Sequence, residues 1–378
     1  MRVVIEQTLF APDAADPLQR LELFLLAASL EHALLLDPPW DPGPQLANTW
    51  LDQQDEALGA ALRQILVDGQ ELETRLPSDT VSFRVAFIDE SDWERARLSV
   101  PHALRLMRSP LQLMIEDMHS DWGFLRRIAG PQRREALDKA LKRGALVIRH
   151  GGGLGSMKTY IEGLNSVSHA TVPAVAAEAS VQRILQRLRL WVMYDRDGAD
   201  HDRRIASDAS NDLLSTCSAS ASRPWALAHH QLTRRSIENY LPDDALWLWA
   251  NDRDRSESVG RFISGAFGEH RRHCYDMKEG LLEFLPTRKE RGELRERRLG
   301  LKNRPARAQL LRDDALKPPF QGLTDELRDR VAEGFGSNVA RYFDDEKLPD
   351  ACFERVFEAD KKAAALREAM FRTLFARL

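Results

Sequence analysis

Leu190-Trp191-Val192-Met193-Tyr194-Asp195-Arg196-Asp197-Gly198 is the stretch of sequence that decides the fold of this chain. Five consecutive apolar residues are typical of a strand buried on both faces, and such strands belong to parallel sheets. The run ends in two aspartates, and Gly198 permits the strand to turn into a loop that projects both carboxylates together. Carboxylates at a strand end indicate a site that holds Mg²⁺ over a phosphate.

Two further acidic residues lie beside short apolar runs, Glu116 after 111–115 and Glu238 before 239–241. Apolar runs alternate with helical patterns here, which predicts parallel strands joined by helical crossovers. The predicted strands are 111–115, 145–148, 190–194 and 225–229, and the predicted helices are 121–128, 132–143, 157–165 and 181–187. We therefore predict an α/β fold with a mostly parallel, Rossmann-like sheet. Its carboxyl edge should gather Glu116, His150 with the glycine run that follows, Asp195 and Asp197.

The patterns divide the chain into three regions. Residues 1–108 are predicted to form an α/β module of unknown role, with strands over 2–6 and 80–88 and helices over 18–36 and 46–68. Residues 109–285 carry the acidic motifs and form the predicted catalytic domain. Residues 286–378 contain a basic segment and a mostly helical C-terminal region, with helices predicted over 323–335 and 353–378.

Composition limits the class of protein. The chain has 378 residues and a formal net charge of −4, and it contains no apolar stretch long enough to span a membrane. We expect a cytoplasmic protein whose three cysteines are reduced structural thiols. Between residues 287 and 312, ten Lys or Arg residues stand against three Glu. This segment is either a solvated helix face or a flank that binds a nucleic-acid backbone.

Taken in order, the acidic motifs resemble a known family. Glu116 with Asp121 behind it, Asp195-Arg196-Asp197, and Arg235-Ser236-Ile237-Glu238-Asn239-Tyr240-Leu241 are similar to the Toprim domain of OLD-type nucleases of bacterial anti-phage defence. The segment Tyr275-Asp276-Met277-Lys278-Glu279-Gly280 resembles one found downstream of these motifs in some members. The resemblance covers about residues 109–285.

The resemblance implies a Toprim-like nuclease that cuts or nicks DNA, with RNA as the less favoured substrate, using Mg²⁺ or Mn²⁺. It implies that Glu116 is a metal ligand or general base, that Asp195, Asp197 and Glu238 bind metal, and that Lys278 stabilises charge on the phosphate. Asp121 is a further implied ligand. Asp117 stands where the family commonly has glycine, and Asp121 lies five residues from Glu116 instead of four, which weakens the implied role of Asp121.

The resemblance also indicates which other proteins this chain would need as partners. The family's ATPase domain is not recognisable in this chain, so control by ATP would need a separately encoded partner ATPase, and a homo-oligomer remains open. The alternative to an enzyme is a non-catalytic Toprim-like subunit that binds nucleic acid or that ATPase. Topoisomerase or primase activity is a weaker option, because neither a DNA gate nor a zinc ribbon is visible.

Two other motifs have competing interpretations. His229 and His230, at the end of the fourth predicted strand, are either structural histidines or metal ligands. The run His150-Gly151-Gly152-Gly153-Leu154-Gly155-Ser156-Met157-Lys158-Thr159 resembles a P-loop, but Met157 stands where the loop needs glycine. A strand-to-helix turn with positive φ, whose N–H groups face the site, explains the glycines better.

Overall fold

A computed structural model describes residues 1–14, 16–41, 43–165, 173–198, 206–219, 226–281, 316 and 318–378. In this part of the chain, two four-stranded sheets form, and every pair of neighbouring strands runs parallel. Helices flank both sheets. The α/β, Rossmann-like architecture predicted from the sequence is therefore confirmed.

The first sheet is built from the N-terminal part of the chain. Its strands are β1 (Arg2–Glu6), β2 (Ala33–Asp37), β3 (Ser82–Ala86) and β4 (Arg97–Ser99), in the spatial order β2-β1-β3-β4. The helices between and after them are α1 (Pro17–Ser29), α2 (Leu46–Asp52), α3 (Glu56–Glu73) and α4 (Val100–Arg108).

The second sheet contains the acidic motifs. Its strands are β5 (Leu111–Ile115), β6 (Leu146–His150), β7 (Leu190–Tyr194) and β8 (Ala228–Gln231), in the order β6-β5-β7-β8. The intervening helices are α5 (Ser120–Lys142), α6 (Leu154–Asn165), α7 (Pro173–Leu188) and α8 (Asp208–Ala219). The order repeats that of the first sheet, and in each sheet the direction of strand addition reverses between the first and third strands. Ligands of open parallel sheets bind outside the carboxyl ends of the strands at such a switch point.

Among the residues that the structure describes, six more α-helices follow the second sheet. They are α9 (Asp243–Asn251), α10 (Ser256–Ile263), α11 (Glu269–Cys274), α12 (Asp325–Arg330), α13 (Asp350–Ala359) and α14 (Lys361–Phe375). Their apolar side chains share one hydrophobic core with α5 and one face of the second sheet. A second core fills the other face, against α6 and α8, and a third lies around the first sheet.

Strand β7 shows why its sequence is apolar throughout. Trp191 and Met193 enter the core shared with the C-terminal helices, whereas Val192 and Tyr194 enter the core beneath α6 and α8. Successive side chains of a strand point to opposite faces, so a strand covered on both sides needs an unbroken apolar run.

Several predicted helices are shorter than expected. The helix predicted over 18–36 ends at Ser29, and its last leucines form β2, which pairs with β1. The helix predicted over 46–68 is two helices, because the Asp55 side chain accepts a hydrogen bond from the Leu58 N–H at 2.9 Å and begins α3. Local apolar patterns do not distinguish a leucine-rich strand from a helix, and tertiary pairing decides between them.

The C-terminal predictions need similar corrections. Only Asp325–Arg330 of the range 323–335 is α-helical. The helix predicted over 353–378 is divided at Asp360, whose carboxylate accepts from the N–H groups of Lys362 and Ala363 and begins a new helix. Strand β4, with α4, and helix α8 were not predicted.

Other predictions have mixed outcomes. The helices predicted over 121–128 and 132–143 are confirmed. They form the two halves of α5, which has a kink at Gly130 with φ of 73°. The fourth strand begins three residues later than predicted, so His229 and His230 lie inside β8 instead of at its end. Cys217, Cys274 and Cys352 are buried and free. The basic segment 287–312 lies outside the described residues, and no helix in the described part of the chain is long and apolar enough to cross a membrane.

Candidate active site at the carboxyl edge of the second sheet

Glu116 and Asp195 directly follow the two central strands of the second sheet, β5 and β7, at its switch point. A hydrogen bond joins them, since Glu116 Oε1 accepts from the Asp195 N–H at 3.0 Å. The parallel register of β5 and β7 places both strand ends at one level. The convergence expected from the strand pattern is therefore present for these two residues.

Asp197 projects from the loop after β7. The residue in the left-handed region is Asp197 itself, with φ of 52°, whereas the sequence had suggested Gly198 as the turning residue. Aspartate tolerates this conformation better than most residues with a side chain. The Asp197 N–H donates to the Arg235 carbonyl at 2.9 Å, which attaches this loop to the segment that carries Glu238.

Glu238 lies in a short 3₁₀ helix, Ile237–Tyr240, and is 1% exposed. Its Oε1 atom lies 3.1 Å from Lys278 Nζ, and its buried Oε2 atom has no hydrogen-bond partner among the described residues. A buried carboxylate oxygen without a donor is costly, so it points to a missing cationic or protonated partner.

Lys278 is brought to the site by a turn. Asp276 Oδ1 accepts hydrogen bonds from the N–H groups of Lys278 and Glu279, an arrangement typical of an Asx turn. Burial by itself disfavours the Lys278 ammonium, but the negative charges of Glu238, Asp195 and Asp121 outweigh that effect and raise the pKa of Lys278. Lys278 is thus a permanent cation in the midst of the carboxylates.

Asp121 is buried in the first turn of α5. Its Oδ2 atom accepts from the Asp117 N–H at 3.0 Å, while Asp117 caps the helix by accepting from the N–H groups of His119 and Ser120. Burial raises the pKa of Asp121 to about 7, the hydrogen bond from Asp117 opposes this shift, and the charge of Glu116 adds to it. The extra residue between Glu116 and Asp121 therefore still leaves Asp121 within electrostatic reach of Glu116.

The carboxylates interact as a group. Removal from water, followed by repulsion from Glu116, Asp121, Glu238 and Asp197, raises the pKa of Asp195 well above its usual range. Burial likewise raises the pKa of Glu116, and Asp197 and Glu238 add to the shift. The pKa of Asp197, whose side chain is at the surface, is also raised by partial removal from water, and the positive charges of Arg235 and Lys278 oppose that shift. A cation in this cluster would relieve the repulsion.

The residue types fit a divalent metal ion of the Mg²⁺ or Mn²⁺ kind, which prefers carboxylate oxygens. The unpartnered Oε2 of Glu238 and the raised pKa values of Glu116, Asp121 and Asp195 support this fit. In the described part of the chain, however, no three Asp, Glu, His or Cys side chains lie close enough to bind one ion between them. The carboxylates are electrostatic neighbours whose side chains must rotate to share an ion.

Four residues that support the site, Arg235, Ser236, Asn239 and Asp276, were given no role by the sequence analysis. Asn239 donates to the carbonyls of Arg272 and Tyr275 and accepts from Ser236, and Arg235 forms an ion pair with Asp276 at 3.1 Å. These contacts hold the Glu238 and Lys278 segments together. The Ser-x-x-Asn spacing of residues 236–239 is similar to a capping box and was the available signal for Asn239.

The histidines and the glycine run have structural roles. His230 Nε2 bonds to Thr373 Oγ1 at 2.7 Å and its ring packs beside Trp191, while His229 Nδ1 bonds to the Leu227 carbonyl. Gly152 and Gly153 have φ of 68° and 90°, which confirms the predicted turn with positive φ.

No protein-family model matches the chain, and no curated protein or solved structure is significantly similar to it.

Proposed function

We propose that this protein is a Toprim-type nuclease that hydrolyses phosphodiester bonds of DNA or RNA with a divalent metal ion. The observation that carries the proposal is the placement of Glu116 and Asp195 on the two strands of the switch point, with Glu238 and Lys278 beside them. A role in anti-phage defence under the control of a partner ATPase belongs to the same proposal and rests on the family resemblance alone.

Each residue has a task in this proposal. Glu116, Asp195, Asp197 and Glu238 would hold the metal, with Asp121 behind them as a further carboxylate. A bound Mg²⁺ or Mn²⁺ supplies Lewis-acid stabilisation of the phosphoryl oxygens and lowers the pKa of water. Lys278, whose side chain is half exposed, reaches from Glu238 toward solvent and would donate to a phosphate oxygen.

Glu116 is also suited to move a proton. Its Oε1 atom accepts a hydrogen bond from the Asp195 N–H, and this bond orients the carboxylate. Its other oxygen, Oε2, would accept the proton. Burial raises the pKa of Glu116 above that of an ordinary glutamate, which brings it closer to the range of an effective general base at neutral pH.

The test is cleavage of supercoiled plasmid and of a labelled RNA by the purified protein with Mg²⁺, Mn²⁺ or EDTA. We expect metal-dependent cutting that Asp195→Ala and Glu116→Gln both abolish. The matched control is Glu6→Gln, because Glu6 ends β1, the strand that corresponds to β5 in the first sheet, and is paired with Arg97. Full activity of the Asp195 and Glu116 variants would refute the assignment of the site. Folded wild-type protein that binds nucleic acid but never cuts it would favour the non-catalytic subunit instead.

A further inference from the structure

The main chain at Asp195 is held by a hydrogen bond on each side. Its N–H donates to Glu116 Oε1 at 3.0 Å. Its carbonyl accepts from the hydroxyl of Ser210, whose Oγ atom lies 2.8 Å from the carbonyl oxygen. Ser210 belongs to the first turn of α8, on a different element from the carboxylates of the site. Its side chain therefore acts on a site residue through the main chain of that residue.

The residues on either side of Asp195 are attached by main-chain atoms. The Tyr194 carbonyl accepts from the N–H of the first residue after β8 at 3.0 Å, and the Asp197 N–H donates to the Arg235 carbonyl at 2.9 Å. Bonds between main-chain atoms do not require particular side chains. The bond from Ser210 does, so one substitution can release the Asp195 carbonyl and leave these two neighbouring bonds in place.

The hydrogen-bond pattern fixes the direction of the Ser210 hydroxyl. A carbonyl can only accept, so the single hydroxyl proton points at the Asp195 carbonyl. The same Oγ atom accepts from Gln231 Nε2, which lies 2.8 Å away at the end of β8. Ser210 is 0% exposed. Water is therefore poorly placed to replace the hydroxyl, and its removal leaves a buried donor and a carbonyl without their partner.

Helix α8 holds Ser210 in a fixed place. The Ser210 N–H donates to Ser207 Oγ at 3.1 Å, a contact typical of a helix cap. Leu213 and Cys217, one and two turns further along α8, are buried in the core beneath the second sheet. The hydroxyl that reaches Asp195 is thus carried by a capped and packed helix.

We propose that Ser210 is a positioning residue of the acidic site, which holds the Asp195 main chain so that the Asp195 carboxylate can share a divalent ion with Glu116. The inference rests on the proposed function, because it concerns the metal ion of that proposal. The carboxylates must rotate to share an ion, and a fixed main chain limits the positions that the Asp195 side chain can reach. Removing the partner of a metal ligand typically costs about 10- to 100-fold in metal affinity.

The first experiment measures metal binding without nucleic acid. Electron paramagnetic resonance of free Mn²⁺ gives the dissociation constant for wild type, Ser210→Ala and Ser109→Ala. Ser109 is the matched control, because its Oγ atom also donates to a backbone carbonyl, that of Arg105 at 2.7 Å, but it lies just before β5 at the opposite edge of the sheet. We expect the constant to rise about tenfold in Ser210→Ala and to stay unchanged in Ser109→Ala.

A third variant covers the case in which Ser210→Ala does not fold. Ser210→Cys is close to serine in size, but a thiol is a weak hydrogen-bond donor. Its affinity for Mn²⁺ should lie between those of wild type and Ser210→Ala. Thermal unfolding in EDTA identifies which variants are folded before the metal is added.

A double variant separates positioning from general damage to the structure. Asp195→Ala should itself weaken Mn²⁺ binding, and Ser210→Ala should cause no further loss in that background, because Ser210 acts through the Asp195 carboxylate. A general disturbance of the sheet edge would weaken binding in both backgrounds.

The outcomes separate this inference from the proposed function. A loss of Mn²⁺ affinity in the Ser210 variants that is absent from Ser109→Ala and from the Asp195→Ala background supports the positioning role, even if no plasmid or RNA is cut. The inference is overturned by equal affinity in wild type and the Ser210 variants, by an equal further loss in the Asp195→Ala background, or by a wild type that binds no Mn²⁺. Either of the first two results can occur while metal-dependent cleavage still supports the proposed function.

Discussion

The carboxylates at the carboxyl edges of the two sheets differ in the number of cationic partners that they have. In the first sheet, Glu6 accepts two hydrogen bonds from Arg97 at 2.7 Å, and Asp37 is paired with Arg84. Each of these acids therefore has its own arginine. In the second sheet, Glu116, Asp121, Asp195 and Glu238 all interact with the single ammonium group of Lys278. The two edges have the same topology but an unequal balance of charge, and this difference supports the metal site proposed for the second edge.

The shared cation leads to a prediction about stability. Lys278→Met should lower the free energy of unfolding by about 1 to 3 kcal/mol in EDTA, because it removes the counter-charge of buried Glu238. Asp195→Asn should raise it by about 1 kcal/mol, because it removes one of the repelling charges.

Urea unfolding of both single variants and of the double variant measures the coupling between these sites. The loss caused by Lys278→Met should become smaller in the Asp195→Asn background, because Asp195 is one of the negative charges that Lys278 offsets. Additive effects would show that Lys278 and Asp195 do not interact.

A histidine in the second sheet predicts how stability depends on pH. Burial, helped by the charges of His229, Arg377 and Arg372, lowers the pKa of His230 from 6.5 to about 3. Below about pH 6.5, His230 therefore binds a proton in the unfolded chain. In the folded protein it stays neutral until the pH approaches 3. The stability contributed by neutral His230 is present above pH 6.5 and is lost as the pH falls toward 3.

Replacing His230 with glutamine should reduce this loss. A single proton corresponds to a slope of about 1.4 kcal/mol per pH unit within that window. Chemical denaturation of wild type and His230→Gln at several pH values between 4 and 7 measures the difference in slope. Parallel curves for the two proteins would mean that His230 titrates alike in the folded and unfolded states.

Among the structural elements, the turn that carries Lys278 is held by close backbone packing. A Cβ atom on Gly280 would lie 2.4 Å from the Gly334 N atom and 2.5 Å from the Ala332 carbonyl oxygen, and Gly280 has φ of 72°. Gly334 in turn lies against the backbone of Lys278. The position of the Lys278 side chain thus depends on two glycines that are far apart in the sequence.

We predict that Gly280→Ala costs much more stability than Gly144→Ala. Both glycines have φ slightly above 70°, but Gly144 has no atom within 4 Å of an added Cβ. Gly144→Ala should cost only the left-handed backbone conformation, about 1 kcal/mol, whereas Gly280→Ala adds a backbone clash and should cost at least about 3 kcal/mol. Urea unfolding measures both losses.

Nucleic-acid cleavage is a second measurement that should distinguish Gly280→Ala from Gly144→Ala. Gly280→Ala should also reduce nucleic-acid cleavage under conditions in which it remains folded, because Lys278 moves with the turn. Gly144→Ala should cleave like the wild type. Equal stability losses in the two variants would argue against close packing at Gly280.

In the whole molecule, one buried arginine joins the two sheets to the C-terminal helix. Arg189, between α7 and β7, donates to the Ser109 carbonyl at 2.8 Å and to the Arg377 carbonyl. Leu185 and Leu188 of α7 lie in the core of the first sheet, and the Val81 N–H bonds to the Ala376 carbonyl. Elements from all three regions of the chain therefore meet at this point.

Arg189→Leu should lower the free energy of unfolding by about 2 to 4 kcal/mol, because it leaves two partly buried carbonyls without the donor that the fully buried guanidinium supplies. Arg95→Leu is the control, since the Arg95 side chain is 84% exposed. Unfolding in urea should remain one transition in both tryptophan fluorescence and far-UV circular dichroism. Separate transitions would show that the regions unfold independently.

The sequence by itself determined the class of the fold and the meeting of two acidic strand ends in the candidate site. Unbroken apolar runs are required of strands covered on both faces, and the order of strands and helices implied a parallel sheet. Because the carboxyl ends of parallel strands share one edge, the positions of Glu116 and Asp195 after strands were sufficient to predict that these two residues lie close together.

Only the tertiary structure decided the rest. Residues 33–37 are a strand because they pair with β1, which no local pattern reveals. The contact of Lys278 with Glu238 and the approach of Gly334 to Lys278 join segments separated by tens of residues. Such contacts depend on how whole elements pack, and side-chain packing is a property of the folded chain that local periodicity does not encode.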